Sequence, residues 1–347
     1  MQNLDALVKA VQTNCHISDA RYAGNYSMCT FLLKMREYYR WENRFPYSRK
    51  LEKDVVGEWL VAREQYWQEI EADDYLEIPL ANSQLDPFDA DAINREILPG
   101  GYVYSSGYGI FGKPHFFVGK LINDERREDI RILVSSNEYA RDLVAPPAMA
   151  QGNTIYIRKE SITRFLWERI EEWRWNRNED SPMARAIACY GDEKDIDTLL
   201  DPMTENEIEI MILHEFGEVY AGKLLGPQWE KMLLTLSGTR AEFMVRALRD
   251  NLADCLYTLP ELIESSNDAS LHLYFANFSG LRKFMFPEAR NLYQQWITDG
   301  TIVPLQQLVA SAKEDILEKA RRTLTLFGSG HDNPATKIEN FLNPEAT

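Results

Sequence analysis

Residues 101–122, GYVYSSGYGIFGKPHFFVGKLI, decide the fold class. Glycines recur among Tyr, Val, Phe and Ile, a texture that suits hairpins and breaks helices. DIRILVSS (129–136) and NTIYIRKE (153–160) continue it. Roughly four strands are expected between 101 and 160. On either side the apolar spacing changes to that of helices. Residues 3–14 place Leu4, Leu7, Val8 and Val11 on one face, and 26–44 and 51–72 are further helices. SITRFLWERIEEWRWN (161–176) opens on a capping Ser, and a second helical block covers 205–325. The stretch 81–100, with Pro87 and Pro99-Gly100-Gly101, reads as loop, as does the acidic segment 191–204. The expected fold is α+β and mainly helical: N-terminal helices, a small antiparallel sheet at about 101–160, then a helical C-terminal half. The expected division is 1–200, 201–327 and a loose tail over 328–347.

The chain has 347 residues, long enough for a sizeable core. Its 38 Lys and Arg against 54 Asp and Glu give a net charge of −16, which argues against a nucleic-acid groove. Cys15, Cys29, Cys189 and Cys255 are scattered singly, as expected of reduced thiols in a cytosol-like compartment. The amphipathic start has no apolar signal core, and no apolar run reaches the ~18 residues of a membrane span. A cytoplasmic protein, not membrane-bound, is expected. The aromatic content is compatible with a homo-oligomer.

One segment carries chemical content: ILHEFGEVYAG, residues 212–222. Thr204 can cap its helix, Glu205 and Glu207 suit the first turn, and Pro227 lies beyond the end. Ile208, Met211, Ile212, Phe216 and Val219 make much of the circumference apolar. His214 and Glu218 are four apart and share a face, with Glu215 at the edge of the apolar stripe. Charges on a buried helix are costly unless paired or bound to metal. In the next helix Glu242, Arg246, Asp250 and Asp254 recur every four positions. His16 and Glu37 are more remote additions to such a cluster.

His214-Glu215-x-x-Glu218 resembles the HExxH helix of zinc metallopeptidases, with Glu in place of the second His. The resemblance implies His214, Glu218 and Glu242 as metal ligands and Glu215 as general base. Asp250 would be a further ligand or a group supporting one. A bound divalent metal would activate water against a small-molecule or peptide substrate. One His with several carboxylates leans from zinc toward iron or manganese. Two alternatives stay open. One is a di-iron centre bridged by Glu218 and Glu242. The other is a non-enzymatic acidic interaction protein, in which Arg246 or Arg249 satisfies Glu218 or Glu242 in a buried network. Over longer stretches, residues 14–42, 214–226 and 239–263 are similar to an uncharacterised family of bacterial proteins. That implies a stand-alone cytoplasmic protein and brings no activity.

Weaker signals have plainer readings. The GxGxxG at 107–112 is followed by Lys113-Pro114 and a strand, so it is a hairpin and not a nucleotide loop. His115 and His272 read as packed or surface histidines, and His331 as part of the tail. Arg36, Arg40, Arg44 and Arg49 read as a solvated stripe. Trp167, Trp173 and Trp175 read as core or interface. The chain lacks the G-x-S-x-G and P-loop lysine motifs.

Overall fold

The computed structural model describes residues 4–80, 83–109, 112–328 and 333–343. The chain forms two compact units, residues 1–169 with 193–208, and residues 170–192 with 209–347. The architecture is α+β and mainly helical, as the texture predicts.

The first unit begins with α1 (Leu4–Tyr22), α2 (Met28–Glu42) and α3 (Lys53–Ile70), followed by the short pair β1 (Ile78–Pro79) and β2 (Gln84–Leu85), and then α4 (Ala90–Ile97). The main sheet comprises β3 (Tyr102–Tyr108), β4 (Pro114–Arg127), β5 (Ile130–Arg141), β6 (Ala148–Gln151) and β7 (Thr154–Arg158). Its order is β3-β4-β5-β7-β6, antiparallel except that β5 and β7 run parallel. Alternation assigns the two faces. Val103, Phe117, Leu133 and Tyr156 pack on one side, and Tyr104, Phe116, Val118 and Ala140 on the other. Leu7, Val11 and Cys15 of α1 cover the second face, where the Cys15 thiol donates to the Phe116 carbonyl at 3.2 Å. The helix α5 (Lys159–Trp175) leaves β7 directly.

Two expected loops are helical. Within 81–100, Asp89 caps α4 by accepting from the Ala92 N–H at 2.9 Å. Within 191–204, the long helix α7 (Ile196–Leu225) starts early and contains Pro202 despite its missing N–H. Burial explains this, since Ile196, Leu199, Leu200 and Met203 all face the core at helical spacing.

The second unit adds α6 (Pro182–Ala188), α8 (Pro227–Thr235), α9 (Arg240–Ala253), a π-helical turn (Asp254–Thr258), α10 (Leu259–Glu264), α11 (Asp268–Asn277), α12 (Gly280–Met285), α13 (Pro287–Asp299), α14 (Val303–Gly328) and α15 (Pro334–Leu342). Trp229, Met244, Leu248, Leu252, Leu271 and Tyr293 lie in one continuous core. The expected loose tail is corrected over 334–342. That segment is α15, capped by Asn333 and packed on α9 and α14. His331 lies outside the described residues, as do residues 110 and 111 of the glycine-rich hairpin. All four cysteines are free thiols, and among the described residues no helix is long and apolar enough to cross a membrane.

Ile338 is 0% exposed and sits in the core of the helical unit. Ile338→Ala should therefore lower unfolding free energy by about 2–4 kcal/mol in a urea titration. An unstructured tail would give no change.

Candidate functional site

The site is set by a glycine. A β-carbon on Gly217 would lie 2.4 Å from the carbonyl oxygen of Ala253, so α7 and the end of α9 touch backbone to backbone. Glycine inside a helix costs about 1 kcal/mol relative to alanine, and here it permits this approach. The contact carries His214 to Asp254, with Nδ1 2.8 Å from Oδ1. Asp254 is 1% exposed and opens the π-helical turn. Its other oxygen accepts from the Tyr274 hydroxyl at 3.0 Å and pairs with Arg282, so one carboxylate joins α7, α11 and α12.

On the other side of the ring, His214 Nε2 lies 3.5 Å from Glu218 Oε1. Glu218 Oε2 accepts from Arg249 at 2.7 Å, and Arg249 lies 4.0 Å from Asp250. Burial works against a charged imidazole, but the Asp254 and Glu218 carboxylates outweigh it and hold His214 well above its usual range. Burial would raise Glu218, yet His214 and Arg249 hold it low. Asp254 is also low, because Arg282 and His214 overcome its desolvation. Asp250 is the exception: burial, then the neighbouring Glu218 charge, push it up to about 6.

His214, Glu218 and Asp250 therefore meet, and Glu242 does not join them. Glu242 is 2% exposed, accepting from the Gly238 N–H at 2.8 Å and pairing with Arg246 at 2.9 Å. It precedes Ala253, the residue against Gly217, by eleven positions, about 16 Å of helix rise. Ligands of one ion sit about 2 Å from it, and Glu242 lies apart from the His214–Glu218 pair that the expected ligand set and the expected Glu218–Glu242 bridge join to it. Glu215 is buried, and its charge reaches Arg249. Among the described residues no group of three or more His, Cys, Asp or Glu has a geometry to hold a metal ion. At His214 the ring faces a carboxylate at each nitrogen, and Arg249 pairs with Glu218.

Several functional-looking groups escape a sequence reading. Arg282 and Tyr274 have no motif around them. Gly217 was legible in principle, as a helix-interior glycine on an apolar face. In the first unit His115 is packed, with Nδ1 2.9 Å from Asp142, and Lys113 bridges Asp19 at 2.6 Å and Asp142 at 3.5 Å. Glu138 takes both arms of Arg158, at 3.0 and 2.8 Å. The arginine stripe is not simply solvated: Arg40 is 5% exposed and bound to Glu37 at 2.9 Å. His16 is buried and held neutral, its value lowered to about 3 by burial and then Arg63, and it accepts from Trp67. His272 is packed against Tyr293 and Trp296.

Gly217→Ala should force the helices apart and lower stability by about 2–3 kcal/mol, with the His214 titration, followed by NMR, moving back toward 6.5. Asp250→Asn should do the opposite to stability. The folded value of Asp250 lies above its unfolded one, so its ionisation works against the fold as pH rises past the unfolded value and does so fully above about 6. With this side chain a quarter exposed, the variant should gain about 1 kcal/mol at pH 8 and nothing at pH 3 in paired denaturant titrations.

No curated protein and no solved structure matches the chain. Two family descriptions do, and together they span nearly all of it: the N-terminal domain of a family of unknown function (DUF6866) over residues 6–158, and the C-terminal domain of the same family over residues 163–345. The boundary between them falls in the first turn of α5, whereas the sequence reading divides the chain near residue 200. On this coverage the chain belongs to the DUF6866 family.

Proposed function

We propose that this protein acts by binding and not by metal-dependent hydrolysis, and that the His214 constellation is a charge lock for the helical unit. The observation that carries this reading is His214 clamped between Asp254 and Glu218. A protonated imidazole donates from both nitrogens and has no lone pair for a metal. Arg249 lies against Glu218, where a cationic ligand would otherwise be needed. What remains is an acidic chain whose net charge of −16 disfavours polyanionic partners and suits neutral or basic ones.

The test is metal content by mass spectrometry on untagged protein purified without chelator, for wild type and His214→Ala. Both should hold far less than one ion per chain. The variant should lose about 2 kcal/mol at pH 6, because buried Asp254 and Glu218 each lose one partner and keep only Arg282 and Arg249. His214 has a folded value above its unfolded one. Its contribution is therefore complete below about pH 6.5 and fades as pH rises through the folded value, so the two proteins should converge in alkali. Stoichiometric zinc, iron or manganese in wild type, lost in the variant, would restore the metalloenzyme reading.

A further inference from the structure

A cavity of about 310 Å³ lies in the first unit among α2, the turn after it, β5 and α5. Four arginines and two glutamates line it: Arg40, Arg44, Arg141, Arg164, Glu37 and Glu160. Three of the arginines are accounted for. Arg40 binds Glu37 and the carbonyls of Pro46 and Arg49. Arg44, half exposed at the mouth, binds Glu160 at 2.8 Å and the Glu138 carbonyl. Arg164 binds Glu168 at 2.6 Å and the carbonyls of Val144 and Ala145.

Arg141 is different. It is 1% exposed, yet among the described residues its guanidinium has no ion pair and no hydrogen bond. It meets only ring faces, Trp41 at 4.8 Å and Tyr38 at 5.6 Å. Glu37 is bound to Arg36 and Arg40, and Glu160 to Arg44 and the Glu138 N–H. Arginine does not shed its proton in proteins, and only the charges of Glu138 and Glu160, each already bound by another arginine, offset the burial of Arg141. Three donors on lining residues lack an acceptor: Arg141 Nε, Arg164 Nε and the Trp41 indole N–H. The lining thus has a formal excess of two positive charges and spare donors, inside a chain of net charge −16. Trp41, Phe45 and Tyr47 add a flat apolar wall. Paired guanidinium groups recognise phosphate well, and the volume is at the small end for organic ligands.

We propose that this cavity binds a small phosphate monoester, with the phosphate dianion on Arg141 and the organic part against the aromatic wall. The site is independent of the role given to His214.

The test is calorimetric titration of the full chain with phenyl phosphate, inorganic phosphate and benzoate. Phenyl phosphate should bind most tightly, and Arg141→Met should weaken it about tenfold or more. Without ligand this variant should melt no lower than wild type, because an unpaired buried cation has gone. Absence of phenyl phosphate binding in wild type, undiminished binding in the variant, tighter binding of benzoate, or a lowered melting point of the unliganded variant would each overturn the proposal. Arg44→Gln at the mouth is the second variant. A weakening of about threefold supports the site, and unchanged affinity overturns it.

Discussion

The helical unit depends on a backbone contact, Gly217 against Ala253. No side chain could stand between these helices, and everything polar nearby follows from their separation. It fixes the distance from His214 to Asp254, and Asp254 in turn gathers Tyr274 and Arg282 from two further helices. Buried charges of this type add little net stability when compared with well-packed apolar residues. Removing one partner is nonetheless severe, because the others cannot return to water. The network is thus better understood as a condition on how these helices are allowed to pack than as a source of binding energy within the core.

The sequence discloses much of the fold because its two periodicities are clean. Gly-rich β texture over 101–122 and helical spacing on both sides leave few alternatives to an α+β chain. The elements that escape it depend on a single residue or on distant packing. Asp89 caps α4 within an apparent loop, and Ala90, Ile93 and Ile97 give that helix a core to enter. The helix α15 is too short to stand by propensity and exists because Ile338 and Leu342 have a core to enter. The parallel pairing of β5 with β7 leaves no local trace, since it is set across an intervening edge strand.

The candidate site was half legible, for a geometric reason. Spacing along one helix identifies which side chains share a face, so His214 with Glu218 and the stripe through Asp250 and Asp254 could be read directly. Spacing does not give the level at which two helices meet. Because the helices meet at Ala253, Asp254 faces His214 while Glu242 lies far along the axis with its own partners. The same indeterminacy hid whether Arg246 or Arg249 neutralises Glu218, and the answer is Arg249. In the first unit, buried Lys113 and Arg158 each face carboxylates within hydrogen-bond distance, whereas the buried Nε of Arg141 has no hydrogen bond.

The first unit is discontinuous in the chain, since residues 193–208 complete it after an excursion through 170–192. Asp197 receives the N–H groups of Tyr47 and Ser48, and Thr204 donates to Thr163. During synthesis these partners arrive late. At roughly 5–20 residues per second, the ribosome needs about 2–8 seconds to pass from residue 169 to residue 208. For that interval the N–H groups of Tyr47 and Ser48 and the Thr163 hydroxyl wait without these partners, and the first unit is completed only after part of the second has been made.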